Sequence, residues 1–229
     1  NKVPKIDILI TNGTVYTGEN IQPQALDVAI CGSEICGIYP SSKSQVTAKK
    51  IIDVSGKIVS PGFIDPHTHS LEELKSKDKN HNLNYLKQGV TTVVNGNDGV
   101  GPVNIEKVAN ELEANGIGTN VALFVGHGNV RKQVMGTAQR YASAAELVDM
   151  KRLLVDAMVH GALGLSSGLY YVPGSFAETE EVVELAKVAA SFGGIYDTHL
   201  RDESTFNIGF LAALQEAIDI ARSAKIHLH

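Results

Sequence analysis

From Gly62 to the C-terminus, short apolar runs alternate with helical segments, and this alternation constrains the fold more than any other feature of the sequence. The apolar runs after the first include VTTVVNG (90–96), NVALFVGHG (120–128), ALGLSSG (162–168) and IYDTHL (195–200). Strands that are apolar throughout and alternate with helices are typical of a parallel sheet covered on both faces. From KIVSPGFID to KIHLH, the sequence predicts six such strands.

The segments between these strands carry helix signals. Ser143 and Glu146, three residues apart, form a capping-box pattern. Thr179 is predicted to cap a further helix, since acidic residues follow it in the first turn. The predicted helices cover residues 104–116, 143–161, 179–193 and 204–224.

The first 60 residues have a different pattern, with short β-branched runs separated by frequent turns. They predict a small antiparallel sheet or β-sandwich, so we expect a subdomain at 1–60 and a second domain at 61–229. Cys31 and Cys36 flank a predicted hairpin turn. Two free thiols are favoured, because two cysteines are too few for a disulfide framework; a cross-hairpin disulfide is the alternative.

Chain length and charge limit the functional classes. An eight-stranded barrel alone needs about 250 residues, so 229 residues with such an N-terminal subdomain predict an open sheet or an incomplete barrel. A net charge of -5 argues against a nucleic-acid partner. No apolar run approaches the roughly 20 residues that span a bilayer, so we expect no membrane partner. The expected location is the cytoplasm, with the periplasm or secretion as alternatives.

Polar residues with metal-binding or catalytic chemistry stand at the carboxyl ends of the first five predicted strands. In a parallel barrel these ends converge at one mouth, so the side chains are expected to lie close together. They are His67 and His69 on the first strand, then Asp98, His127, Ser166 with Ser167, and His199.

His67 and His69 are the strongest candidates for metal ligands. Residues i and i+2 of a strand point the same way, and two imidazoles on one face can bind one divalent cation. Asp98 lies between glycines, which alone favours a turn residue, but its place beside the histidine pair favours a ligand that could bridge two metals. His199 is predicted to be a further ligand, and His127 to support the site or its loop.

Other polar residues near the same rim have less specific patterns. Tyr171 is expected either to donate a hydrogen bond to a substrate carboxylate or to pack. Arg201 could bind a substrate carboxylate, orient His199 or cap the next helix. Asp202 and Glu203 are assigned structural support. The histidines at 81, 160 and 227 have no local pattern and are assigned structural roles, and the role of the one at 229 is open.

Several of these segments resemble a known family. PGFIDPHTHS resembles the first-strand signature of the amidohydrolase superfamily. Nearly all of residues 56–224 is similar to the N-acyl-D-amino-acid deacylase (D-aminoacylase) family, through QGVTTVVNGNDG, VGHGNVRKQVMG and GALGLSSGLYYVPGSFAETEEVVELAKVAASFGGIYDTHLRDES. The resemblance implies a metal-dependent (β/α)8 TIM barrel, of which about six strand-helix units are present here, with a small N-terminal β-sandwich.

The same resemblance implies roles for individual residues. His67, His69 and His199 match metal ligands, and Tyr171 matches a tyrosine that helps to hold the substrate carboxylate. Asp98 stands where D-aminoacylases have a cysteine that bridges the metals. Because a carboxylate selects zinc less strongly than a thiolate does, the expected cofactor is one or two divalent ions, zinc first, with the identity open.

The implied activity is hydrolysis of the amide bond of N-acyl-(D-)amino acids by a metal-activated water. The alternatives are a metal-dependent dipeptidase, a cyclic-amide hydrolase like dihydroorotase or hydantoinase, and a non-catalytic binding protein with the amidohydrolase fold. The expected partner is a small-molecule substrate, and a homo-oligomer stays open. The family's general-base aspartate and the rest of the barrel are expected beyond residue 229, in a longer chain.

Overall fold

The computed structural model describes residues 5–19, 22–41 and 46–229. The chain divides into two compact units, Asn1–Gly62 and Phe63–His229.

The first unit is a five-stranded mixed sheet. Its central strand β1 pairs with β2 in antiparallel orientation, and β2 pairs with β3 in the same way. The antiparallel prediction fails for the last two strands, which pair parallel to β1 because the chain returns to the other edge of that strand. The strands are β1 (Ile6–Val15), β2 (Gln24–Cys31), β3 (Glu34–Pro40), β4 (Ala48–Asp53) and β5 (Ile58–Val59).

The prediction of two free thiols is wrong. Cys31 at the end of β2 and Cys36 in β3 form a disulfide. The hairpin that joins the two strands brings their Cα atoms to 5.7 Å, inside the range in which a disulfide forms without backbone movement. The pairing of neighbouring strands, rather than the number of cysteines, therefore determines that the two thiols form a disulfide.

The second unit contains a six-stranded sheet in which all neighbours are parallel and the spatial order follows the chain. The prediction of six parallel strands alternating with helices is confirmed, and the arrangement is that of part of a (β/α)8 barrel. The strands are β6 (Phe63–Thr68), β7 (Val90–Asn95), β8 (Asn120–Gly126), β9 (Gly164–Gly168), β10 (Ile195–His199) and β11 (His227–Leu228).

Helices follow the strands of this sheet and cover it with apolar side chains. Leu154 of α5, Leu185 of α6 and Ile220 of α7 are fully buried in one cluster with strand residues that include Val125 and Leu165. Burial of each such side chain stabilises the fold by about 1.5–3 kcal/mol. The helices are α1 (Leu71–Lys75), α2 (Leu83–Leu86), α3 (Ile105–Asn115), α4 (His127–Met135), α5 (Ala144–Val159), α6 (Thr179–Ser191) and α7 (Phe210–Ala224).

Two of the predicted helix starts can be compared with the structure directly. The capping box of Ser143 and Glu146 is present at the start of α5. Thr179 is not the cap of α6: that position is Glu178, and the Thr179 hydroxyl donates instead to Glu216 on α7. None of the helices in the described part of the chain combines the length and apolarity that a membrane crossing requires.

The helix predicted at 204–224 begins only at Phe210, because Asp202 organises the preceding residues as a loop. Asp202 is fully buried, and its carboxylate accepts backbone hydrogen bonds from four residues of that loop: Ser204, Phe206, Asn207 and Gly209. The Ser204 N–H and then the other three lower the pKa of Asp202 to about 2, against the effect of burial. The structural role predicted for Asp202 is thus to hold this loop.

We expect Asp202→Asn to lower the melting temperature at neutral pH, because an amide NH2 would then face backbone donors. The folded-state pKa lies below the unfolded value of about 3.9. The stabilisation by the carboxylate is therefore complete above pH 4 and is lost as the pH falls towards 2. The difference in melting temperature between the two proteins should narrow as the pH falls from 7 to 3, and a constant difference would contradict the assignment.

Candidate metal centre

The extended backbone at the end of β6 directs His67 and His69 to the same side. Thr68, between them, is buried, and its hydroxyl donates to the Val94 carbonyl on β7 at 2.7 Å. His67 and His69 therefore point away from that contact, with ring centroids 5.4 Å apart and side chains 43% and 60% exposed. Both imidazoles face solvent at the carboxyl end of the strand.

Asp98 comes to the same place from the loop that follows β7. Its Oδ2 lies 3.3 Å from His67 Nε2 and 3.1 Å from His69 Nε2. One ligand atom from each of the three residues lies within 4.8 Å of the others. The structure thus brings together three of the four side chains that the sequence predicts as metal ligands.

The surroundings of Asp98 fit a cation. Its side chain is only 13% exposed, and Oδ1 is buried without a hydrogen-bond partner among the described residues. A buried carboxylate oxygen with no partner is costly unless something positive compensates it. Two imidazole nitrogens and a carboxylate suit zinc and similar divalent cations.

The backbone at Asp98 is itself unusual, with φ of 57°. Such left-handed conformations cost roughly 1–2 kcal/mol for a residue with a side chain, although aspartate tolerates them better than most residues. Strained residues of this kind persist only where neighbouring contacts hold them, and they concentrate at functional sites.

His199 lies at the end of β10 but is not part of the three-residue group. Its Nε2 is 2.8 Å from Glu203 Oε1, and its Nδ1 is 3.0 Å from the Leu200 carbonyl oxygen. The predicted role of His199 as a ligand stays a prediction. Glu203 thus contacts the Nε2 edge of this ring, and the structural role predicted for it stays a prediction.

Tyr171 lies beside His199, with 4.7 Å between the two ring centroids. It also lies beside the end of β9, where Gly168 separates it from the Asp98 backbone. A Cβ added to Gly168 would be 2.9 Å from the Tyr171 ring and 2.2 Å from the Asp98 carbonyl oxygen. Burial first, and then the charges of Asp98 and Glu203, raise the pKa of Tyr171.

Arg201, predicted as a substrate contact, is engaged within the protein. Its Nε and Nη2 donate to both carboxylate oxygens of Glu216 at 2.8 Å, and the guanidinium also donates to the carbonyls of Ser175 and Ala177. The side chain is only 10% exposed. These contacts favour a structural role that joins α7 to the loop before α6.

The structure contains a buried charged network that the sequence patterns did not predict. His127, expected in a loop, begins α4 and is fully buried, with its Nε2 2.8 Å from Glu181 Oε1. The other oxygen of Glu181 accepts from Arg131, which is also fully buried. Burial opposes ionisation of Glu181, but His127 and Arg131 outweigh it and lower the pKa of this carboxyl.

One signal in the sequence could have revealed this network. Glu181 lies four residues before Leu185, on the helical face that enters the core, so an acidic residue there needs a buried partner. In the local pattern it is simply one of the acidic residues in the first turn of the helix. The network joins α4, which follows β8, to α6, which follows β9.

Comparison with known proteins identifies the family. The model of a family described as the amidohydrolase family matches residues 50–229. The chain belongs to this family. A D-aminoacylase of Alcaligenes xylosoxydans xylosoxydans is 35% identical over 96% of this chain and 49% of its own length. An N-acyl-D-glutamate deacylase of the same organism is 34% identical over 95% of this chain and 48% of its own length.

Solved structures agree with these relatives. A crystal structure of D-aminoacylase superposes with a TM-score of 0.87 at 34% identity, over 97% of this chain and 50% of that one. An N-acyl-D-glutamate deacylase from Bordetella bronchiseptica, complexed with zinc and a phosphonate inhibitor, has a TM-score of 0.88 at 31% identity, over 98% and 50%. The resemblance to N-acyl-D-amino-acid deacylases is confirmed. This amidohydrolase chain spans about half the length of these relatives.

Proposed function

We propose that this amidohydrolase hydrolyses the amide bond of N-acyl-D-amino acids with a bound divalent cation. The convergence of His67, His69 and Asp98 at one edge of the sheet carries the proposal, since it places ligand atoms from the carboxyl ends of two neighbouring strands within 4.8 Å of one another. The relatives named D-aminoacylase and N-acyl-D-glutamate deacylase support the substrate class.

The three clustered residues would hold the cation, with His199 as a further ligand. Zinc is the proposed ion, supported by the donor set and by the zinc complex of the Bordetella relative. When bound, such a cation supplies a water that is acidic enough to act near neutral pH and polarises the substrate carbonyl. The family's aspartate general base is proposed to lie outside residues 1–229.

Tyr171 is proposed to bind the carboxylate of the amino-acid moiety. Its ring is held against His199, while the residue remains 44% exposed at the rim. A tyrosine phenol is protonated at neutral pH and can donate a hydrogen bond, and the raised pKa of Tyr171 keeps it further from ionisation. Arg201 is not proposed for this task, because Glu216 already occupies its guanidinium.

The domain division and compartment are proposals too. We infer that the predicted domains 1–60 and 61–229 correspond to the two compact units. The predicted cytoplasmic location competes with the periplasmic or secreted alternative, which the Cys31–Cys36 disulfide favours, since disulfides persist in oxidising compartments.

A substrate panel tests the proposed activity. The full-length protein should hydrolyse N-acetyl-D-amino acids at least about 100-fold faster than their L-enantiomers or hydantoin, because a substrate held at both its carboxylate and its amide carbonyl directs the D and L side chains differently. Removal of metal with a chelator should abolish hydrolysis, and added Zn²⁺ should restore it. Release of free amino acid is the measurement.

The same panel separates the alternatives. An L-hydantoinase from Arthrobacter aurescens has a TM-score of 0.67 at 17% identity, which shows a shared fold alone. Opening of hydantoin without release of amino acid from N-acetyl-D-substrates would overturn the proposal in favour of a cyclic-amide hydrolase. Cleavage of dipeptides alone would favour a dipeptidase. Binding without any hydrolysis by the zinc-loaded protein would favour a binding protein.

A further inference from the structure

We propose that Ser166 and Asn97 are positioning residues that hold the Asp98 loop (residues 96–99) with its carboxylate facing His67 and His69. This inference rests on the metal centre of the proposed function. Neither residue belongs to the group of ligand atoms, so each acts through Asp98.

Ser166 fastens both ends of the loop. Its side chain lies fully buried on β9, where Oγ accepts from the Gly99 N–H at 3.1 Å and donates to the Gly96 carbonyl at 2.5 Å. The two loop residues that it contacts enclose Asp98 in the sequence. A single hydroxyl thus sets the separation between the start and the end of the loop.

Asn97 fastens the loop to the strand that carries the histidines. It is also fully buried, and its Nδ2 donates to the Pro66 carbonyl at 3.1 Å. Pro66 immediately precedes His67. The bond therefore ties the residue next to Asp98 to the residue next to a histidine of the cluster.

The loop needs such restraints because Asp98 has an unfavourable backbone conformation, with φ of 57°. Gly96 and Gly99 also have positive φ, at 88° and 75°, which glycine adopts without strain. A Cβ added to Gly99 would lie 2.8 Å from the Gly168 backbone nitrogen, so the loop is in close contact with the end of β9. Removal of the Ser166 hydroxyl would leave a buried carbonyl and a buried N–H without their partner. We infer that the loop would then relax and withdraw the carboxylate of Asp98 from the imidazoles.

Ser167 provides a matched control. It follows Ser166 on β9 and is equally buried, but its hydroxyl bonds to the hydroxyls of Tyr196 and Thr198 on β10. Ser167→Ala therefore also removes two buried hydrogen bonds from the same strand, without loosening the side-chain restraints on the Asp98 loop.

Titration of the metal-free full-length protein with Co²⁺ tests the inference, with the visible absorption of the bound ion as the signal. Ser166→Ala should raise the Kd for Co²⁺ by about 10–100-fold and alter the spectrum, as expected when a partner that orients a ligand is lost. Asn97→Ala should weaken binding in the same direction. Ser167→Ala should leave both the Kd and the spectrum close to those of the wild type.

Thermal unfolding of each metal-free variant accompanies the titration, so that loss of stability is separated from loss of affinity. Unchanged Co²⁺ affinity in a folded Ser166→Ala protein, or equal losses in Ser166→Ala and Ser167→Ala, would overturn the positioning role. Should Ser166→Ala not fold, Asn97→Ala decides the question by the same criterion. A wild-type protein that binds neither Co²⁺ nor Zn²⁺ refutes the proposed metal centre itself, and this role with it.

Discussion

Replacement of His67 by alanine is expected to weaken Zn²⁺ binding by more than about 100-fold and to lower the rate of N-acyl-D-amino acid hydrolysis by about 1000-fold. The imidazole is one of only two that face Asp98 in the cluster of described residues, at 3.3 Å from its carboxylate. Its loss leaves the cluster with one histidine and one carboxylate, and the cation with one ligand fewer even when His199 is counted as a further ligand. Zinc content after dialysis and the rate of amino-acid release measure the two effects.

His81→Ala is the matched control for this experiment. His81 is exposed and lies outside the three-residue group, so its substitution should leave zinc content and rate nearly unchanged. Full zinc content and undiminished hydrolysis in the His67→Ala protein would rule out the metal centre described here. Loss of zinc and of hydrolysis in both His67→Ala and His81→Ala would point to a general effect on folding.

Glu181→Gln is expected to destabilise the fold by about 3–5 kcal/mol, because it leaves the buried guanidinium of Arg131 without its counter-charge. Arg131 is fully buried, and water cannot replace the missing carboxylate. Urea denaturation of the wild-type and variant proteins gives the difference in the free energy of unfolding. A loss of stability below 1 kcal/mol would show that the network contributes little.

Glu184→Gln is the control on the same helix. Glu184 pairs with Lys151 and Lys187 near the surface of α6, where ion pairs contribute about 0–1 kcal/mol. The double variant Arg131→Met with Glu181→Gln should recover part of the stability lost in Glu181→Gln, since it removes the unpaired charge as well.

Much of the second unit was predictable from local pattern. Apolar runs of strand length alternate with capped amphipathic segments, and each helix of that kind can bury its apolar face only against the sheet. Because the carboxyl ends of parallel strands share one edge, the convergence of His67, His69 and Asp98 followed from their positions at strand ends. The structure confirms the sheet and brings these three side chains together.

Local pattern did not reveal which partners polar groups take. The helix expected from residue 204 begins later, because the buried carboxylate of Asp202 captures the N–H groups of the preceding loop. Arg201 is bound by Glu216 from the following helix, and its expected role at the substrate stays a prediction. Periodicity and spacing carry no information on such partners.

The sequence by itself determined the order of strands and helices in the second unit, and with it the edge at which the histidines and Asp98 meet. These features depend on side-chain periodicity, which is local, and on the helix between successive strands, which returns the chain so that the strands run parallel. Only the tertiary structure decided the Cys31–Cys36 disulfide, the parallel strands of the first sheet, the partners of Arg201 and Glu181, and the buried hydroxyl that fastens the Asp98 loop. The disulfide depends on the pairing of two neighbouring strands. The other features depend on contacts between separate segments of the chain, where burial makes a polar group take whichever partner lies within reach.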